Sequence, residues 1–66
     1  MKIKINGKEF EFEIATTLYQ AMDKASIPQG GVATALNGKV IPAAFRDKTI
    51  LADGDNIVII KAFYGG

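Results

Sequence analysis

The pattern of the first twelve residues constrains the fold of this chain more than any other feature. Asn6-Gly7 is the dipeptide best suited to a two-residue type I′ turn, because both turn positions need a positive φ. Around such a turn, opposite charges face each other on one side of the hairpin and apolar residues pair on the other. The expected pairs are Lys4 with Glu9, Lys2 with Glu11, Ile3 with Phe10 and Met1 with Phe12. A slip of one residue would destroy both patterns, so we predict an antiparallel hairpin in this register.

The hydrophobic pattern changes from a period of two to a helical period near Ala15, where we expect the second strand to end. Thr17 and Gln20 have the spacing of a capping box, in which a hydroxyl and an amide each satisfy a free backbone donor at the helix start. One apolar stripe follows at helical spacing, formed by Leu18, Ala21, Met22 and Ala25. Since the residue before a proline disfavours helical angles, the helix is predicted to end at Ile27-Pro28.

Three further strands are predicted after the helix. Residues 32–36 and 39–41 flank a second hairpin signal, Asn37-Gly38. Pro42 ends the short strand before it, because proline cannot donate a hydrogen bond to a strand ladder. Residues 57–60 form a continuous apolar run, which is typical of a central strand.

Two connecting segments complete the sequence pattern. Residues 43–52 have no clear period and are expected to form a turn or a short 3₁₀ piece at the domain edge. Asp53-Gly54-Asp55 is predicted to be a tight turn rather than a calcium site, because the remaining residues of a ligand loop are missing. The order is therefore β-β-α-β-β-β, an α+β fold with a mixed sheet of four to five strands packed on one helix. We predict one domain over residues 1–62 and a flexible tail over residues 63–66.

Composition argues against several classes of function. The 66-residue chain has a net charge of +1, which gives no strong attraction to nucleic acid or to an anionic membrane. Its apolar runs are far shorter than the roughly 20 residues of a membrane-spanning helix. The chain start alternates and lacks the long apolar core of a signal peptide, so we expect a cytoplasmic protein.

The residue types that are missing argue against catalysis. There is no Cys and no His, which removes thiolate chemistry, the commonest general base and the commonest metal ligands. Glu9, Glu11 and Glu13 alternate with apolar residues, so we interpret them as a solvated strand face and not as an acid/base pair. We therefore expect no enzyme activity, no metal site and no bound cofactor.

The last strand has more apolar surface than one helix can cover, since a single helix packs on one face of a sheet. Either Ile57 and Ile59 or Val58 and Ile60 must face outward, at least in part. An exposed apolar surface of this kind is typical of a docking site for a partner. The alternative, that residues 43–52 cover this surface, stays open at this point.

A terminal diglycine, Gly65-Gly66, follows the last strand and completes a recognisable set of motifs. The strand order, the segment from Asn37 to Pro42, the Asp53-Gly54-Asp55 turn and the diglycine together resemble the ThiS family of sulfur carriers. That family has the ubiquitin-like β-grasp fold, and the resemblance extends over essentially the whole chain. Two departures are visible: Ala43 and Ala44 follow Pro42 where the family often carries an Arg, and a bulky Tyr64 precedes the diglycine.

The resemblance implies a function for the chain end. It implies that the carboxylate of Gly66 is adenylated by an ATP-dependent, ThiF-like activating enzyme related to E1 enzymes. A persulfide donor enzyme then converts it to a thiocarboxylate, which a ThiG-like thiazole synthase uses in thiamine biosynthesis. Phe63, Tyr64 and Gly65 are the tail that carries Gly66. By analogy with the last strand of ubiquitin, Ile57 and Ile59 face the core, and Val58 and Ile60 form the docking face.

Three alternatives share parts of this pattern. The related MoaD family of molybdopterin-pathway carriers has the same fold and tail but is usually longer. A ubiquitin-like modifier would use the same activated tail to form isopeptide bonds with lysines. A plain binding module would carry the diglycine only by chance.

Overall fold

The computed structural model describes residues 1–61 as a five-stranded sheet with one α-helix. The strands are β1 (Lys2–Ile5), β2 (Lys8–Glu11), β3 (Val32–Leu36), β4 (Lys39–Ile41) and β5 (Asn56–Lys61); α1 spans Leu18–Lys24 and a 3₁₀ helix spans Ala43–Lys48. The strand order across the sheet is β2-β1-β5-β3-β4. β1 and β5 run parallel, and the other neighbours run antiparallel. The predicted order of elements, the mixed sheet and the 3₁₀ piece are confirmed.

The β1–β2 hairpin has the register that the sequence predicts. Lys2 pairs with Glu11, Ile3 with Phe10 and Lys4 with Glu9. Asn6 and Gly7 have φ values of 51° and 81°, as a type I′ turn requires. Beyond the strand ends, the Phe12 N–H donates to the Met1 carbonyl at 2.9 Å and the Met1 amino group donates to the Phe12 carbonyl at 2.7 Å. The Met1–Phe12 pair is therefore present as well.

The chain leaves the sheet earlier than predicted, because β2 ends at Glu11 rather than near Ala15. The Thr16 hydroxyl donates to the Glu13 carbonyl at 2.6 Å, and Ala15 lies in the left-handed region with φ of 73°. These features form a turn that directs Ile14 into solvent, where it is 87% exposed. The alternating pattern continues to Ile14 and so conceals this turn.

Helix α1 begins as predicted and ends before Ile27-Pro28. Both halves of the Thr17–Gln20 capping box are present, so the predicted start is confirmed. The helix ends at Lys24 because Ser26 adopts a left-handed φ of 60°. The Ile27 N–H donates to the Met22 carbonyl at 2.8 Å and the Ser26 N–H donates to the Asp23 carbonyl at 3.1 Å. This pair of bonds is a Schellman motif, and it stops the helix before the proline is reached.

The core lies between α1 and one face of the sheet, and the segment after β4 closes its side. Ile3, Leu18, Met22 and Ile57 are the largest apolar side chains that are fully buried. The Leu18 N–H donates to the Thr49 carbonyl at 2.8 Å, and Leu51 is buried in the core. Residues 43–52 therefore pack beside the helix and leave the opposite face of the sheet uncovered. Within residues 1–61, no helix is long and apolar enough to span a membrane.

Candidate functional site

The two sides of β5 have opposite environments. Ile57 is fully buried, and Ile59 packs against the core. Val58 is 39% exposed and Ile60 is 55% exposed on the other side. The orientation expected by analogy with ubiquitin is therefore confirmed. The docking role of Val58 and Ile60 stays a prediction.

The exposed apolar surface continues from β5 across β3 to β4. Ala35 pairs with Val58 on one side and with Val40 on the other, and Ala33 pairs with Ile60. Val40 is 68% exposed. We call these five residues the outer apolar patch. Sequence reasoning missed Ala33, Ala35 and Val40, although the turn at Asn37-Gly38 already implied the Ala35–Val40 pair.

The other half of the outer sheet face is charged. Lys2 and Lys4 on β1 lie beside Glu11 and Glu9 on β2, and all four side chains are exposed. Val58 borders this half, because it lines a shallow depression together with both lysines and Glu9. The outer face thus offers a partner an apolar area with a charged margin on one side.

Two asparagine side chains hold β5 in place. The Asn6 Oδ1 accepts a hydrogen bond from the Ile59 N–H at 2.8 Å. The Asn37 Oδ1 accepts one from the Asn56 N–H at 2.8 Å. Both asparagines occupy turns at positive φ, 51° and 50°. The hairpin signals in the sequence therefore also supply anchors for the strand that leads to the tail.

The Asp53-Gly54-Asp55 segment is a turn, as predicted. The Asp53 carboxylate accepts a hydrogen bond from the Lys2 N–H at 2.6 Å. The Asp55 carboxylate accepts bonds from the Ala52 N–H at 2.7 Å and from the Asn37 amide at 2.9 Å. Both carboxylates therefore accept hydrogen bonds that stabilise the fold. No cluster of three or more metal-ligating side chains occurs in the part of the chain that the structure describes.

Lys61 is the last residue of β5 and pairs with Val32 at the start of β3. The sheet therefore holds the chain up to the residue at which the structural description stops. Phe63, Tyr64, Gly65 and Gly66 lie outside the described residues, and their role as a reactive tail stays a prediction.

Comparison with known proteins identifies the family. The model of the ThiS family matches residues 3–66, which is almost the whole chain and includes the diglycine. The chain belongs to the ThiS family.

Individual relatives agree with this assignment. The sulfur carrier protein ThiS of Escherichia coli strain K12 is 26% identical over 66 residues, which is all of both chains. The crystal structure of a thiamine biosynthesis protein, ThiS, from Geobacter metallireducens is similar with a TM-score of 0.85, 25% identity and full coverage of both chains. A ubiquitin-like protein from the archaeon Caldiarchaeum subterraneum shares the fold, with a TM-score of 0.60, 23% identity and coverage of 98% of this chain and all of that one. The predicted ubiquitin-like β-grasp fold is confirmed.

Proposed function

We propose that this protein is a sulfur carrier whose Gly66 carboxylate is activated and converted to a thiocarboxylate for the synthesis of the thiazole of thiamine. The observation that carries the proposal is the family match, which runs through the diglycine to the last residue. The names of the Escherichia coli and Geobacter relatives support the sulfur-carrier role and the thiamine pathway, respectively.

Activation is needed because a carboxylate is a poor electrophile, since its charge and resonance resist attack. In the proposed step, a Gly66 carboxylate oxygen attacks the α-phosphorus of ATP on a ThiF-like enzyme and pyrophosphate leaves. The product is an acyl-adenylate, in which AMP is a good leaving group. Exclusion of water by the partner's active site then protects the acyl-adenylate from hydrolysis.

Sulfur transfer follows in two chemical events. A persulfide sulfur of the donor enzyme attacks the acyl carbon, and AMP leaves. A thiol then cleaves the S–S bond of the acyl disulfide, so that the thiol pair is oxidised and the Gly66 thiocarboxylate is released. That sulfur is the nucleophile which a ThiG-like thiazole synthase would use. The carrier needs no Cys for this chemistry, because the sulfur is carried on the carboxyl carbon.

The folded body and the tail divide the work in this proposal. The outer apolar patch, which includes Val58 and Ile60, docks on the partner enzymes. Residues 63–66 form the tail and span about 13–14 Å when extended, which is long enough to enter an enclosed site. Gly65 and Gly66 have no Cβ and allow the walls of that site to approach the backbone closely.

The protein is proposed to be a co-substrate of its partners and not an enzyme. The chain has neither His nor Cys, so the activating enzyme would bind ATP and supply the catalytic groups. We place the reaction in the cytoplasm, where ATP is available and thiols are kept reduced.

Intact-mass spectrometry tests the proposal directly. The purified protein is incubated with ATP, a ThiF-like activating enzyme and a persulfide donor. A mass gain that matches the exchange of one oxygen for sulfur is expected, and a variant that lacks Gly66 serves as the control that should not react.

Other results of that experiment point to other functions. Covalent conjugates with lysines of other proteins would indicate a ubiquitin-like modifier. Thiocarboxylate formation followed by sulfur transfer only to a molybdopterin precursor would indicate the MoaD branch. An unchanged mass, or full activity without Gly66, would contradict every proposal that depends on the tail.

A further inference from the structure

Arg46 is a charged residue in the interior of this small protein. It lies on the 3₁₀ helix and is 2% exposed. Its Nε donates to the Thr34 hydroxyl at 3.4 Å, and its two terminal nitrogens donate to the Gln29 carbonyl at 2.5 Å and the Val32 carbonyl at 2.8 Å. The guanidinium therefore connects the 3₁₀ helix to two other segments, the loop after α1 and the start of strand β3.

The partners of Arg46 are all neutral. Within residues 1–61, its guanidinium forms no salt bridge with a carboxylate; the remaining contact is the Gln29 side-chain oxygen at 3.4 Å. A buried cation without an opposite charge depends on its hydrogen bonds for compensation. Each carbonyl that Arg46 contacts is thus held firmly, because releasing it would leave a buried charge with fewer partners.

Arg46 occupies the place that a longer β4 would take. The last β3–β4 pair is Thr34 with Ile41, and Pro42 follows. Val32 lies two residues beyond that pair, so β4 provides no partner for its carbonyl. The Arg46 guanidinium binds this carbonyl instead and extends the hydrogen bonding of β3 to its first residue.

Val32 is also the residue that pairs with Lys61 at the end of β5. We propose that Arg46 is a positioning residue for the tail: by fixing Val32, it fixes the point and the direction in which the chain leaves the sheet after Lys61. The effect of Arg46 on adenylation of the tail rests on the function proposed above. The effect of Arg46 on the end of the β3–β5 ladder is independent of that function.

Amide hydrogen exchange tests the structural part. In Arg46→Lys, a compact ammonium group replaces the planar guanidinium. It cannot bind the Gln29 carbonyl, the Val32 carbonyl and the Thr34 hydroxyl at once. We expect exchange at Ala33 and Ile60, near the tail, to rise about tenfold while Asn37 and Asn56, at the far end of the same ladder, keep their rates. Lys48→Gln is the matched control, since it removes a positive charge from an exposed position of the same 3₁₀ helix. Its exchange rates should equal those of the unmodified protein.

Kinetics of adenylation test the functional part. The Arg46→Lys variant keeps the outer apolar patch and should bind the activating enzyme with an unchanged KM. The tail would enter the active site in the correct orientation less often, so kcat for pyrophosphate release should fall about tenfold. A merely structural role would not separate kcat from KM in this way. Lys48→Gln should again match the unmodified protein.

The outcomes separate the two proposals. Exchange that rises equally along the whole β3–β5 ladder, or an unchanged kcat in Arg46→Lys, would overturn the positioning role. If the unmodified protein is not adenylated at all, the proposed function fails and the exchange pattern alone decides the role of Arg46. If Arg46→Lys does not fold, Thr34→Val removes the acceptor of Nε together with the hydrogen bond that the same hydroxyl donates to the Ile41 carbonyl at 2.8 Å. Exchange at Ala33 and Ile60 is expected to rise in this variant as well, by less than in Arg46→Lys, while Asn37 and Asn56 keep their rates.

Discussion

At the scale of single residues, Ser26 adopts a backbone conformation that is unfavourable for a residue with a side chain. Ser26 has a φ of 60° at the position where a Schellman motif usually carries glycine. A residue with a Cβ in this region is less stable than glycine by about 1 kcal/mol. The two hydrogen bonds of the motif, from the Ser26 and Ile27 N–H groups, hold Ser26 in this conformation.

Replacement of Ser26 by glycine should stabilise the protein. Glycine removes the Cβ strain of about 1 kcal/mol, and the extra freedom of the unfolded chain offsets about 0.4–1 kcal/mol of it. The expected net gain in the free energy of unfolding is therefore at most about 0.6 kcal/mol. Urea denaturation measures this change. The control is Ala25→Gly, one residue earlier at φ of −86°, which should lower stability by a similar amount. A loss of stability in Ser26→Gly would contradict the strain argument.

At the scale of elements, β5 connects the core to the proposed site. It lies in the middle of the sheet between β1 and β3, and Asn6 and Asn37 bind its backbone from the two hairpin turns. Its inner side chains pack against the core, and its outer side chains contribute Val58 and Ile60 to the outer apolar patch. The strand is therefore a rigid support for a contact surface on the side opposite the helix.

The double variant Val58→Thr/Ile60→Thr should weaken binding to the activating enzyme. Threonine keeps the β-branched shape that suits a strand but replaces apolar surface with hydroxyl groups. We expect the dissociation constant, measured by calorimetry, to rise about tenfold. Ile14→Thr is the matched control, because Ile14 is 87% exposed in the turn before the helix and outside the patch. Equal affinity of all three proteins would remove the docking role of the patch.

At the scale of the whole molecule, stability depends on one small core. A domain of this size has a total stability of about 3–10 kcal/mol. The fully buried side chains of Ile3 on β1, Leu18 and Met22 on α1, and Ile57 on β5 form a single cluster, against which Leu36 and Ile41 of the second hairpin pack. A defect in this cluster therefore affects every element at once.

The substitutions Ile57→Ala and Val58→Ala, at neighbouring positions of β5, should differ sharply in cost. Ile57→Ala leaves a cavity in the core and should lower the free energy of unfolding by about 2–5 kcal/mol. Val58→Ala changes a side chain that is 39% exposed and should cost less than about 1 kcal/mol. Thermal unfolding followed by circular dichroism compares the two. Similar melting temperatures would mean that the assignment of inner and outer sides is wrong.

The features that the sequence determined by itself are local ones. The Asn6-Gly7 turn and the alternation around it specify the hairpin register, because turn geometry and side-chain parity act over a few residues. The Thr17–Gln20 capping box likewise defines the helix start. The family resemblance was also visible in the sequence, because its motifs are short and stand in a recognisable order.

Only the tertiary structure decided the features that depend on where α1 packs. Parity along the apolar run of β5 does not show which side faces the helix, since both sides are equally apolar; the position of α1 makes Ile57 the inner residue. The same position places residues 43–52 beside the helix and leaves the outer apolar patch uncovered. The burial of Arg46 was equally hidden, because its partners Gln29 and Val32 are 17 and 14 residues away in the chain. Contacts at such separations depend on packing and have no signature in the local pattern.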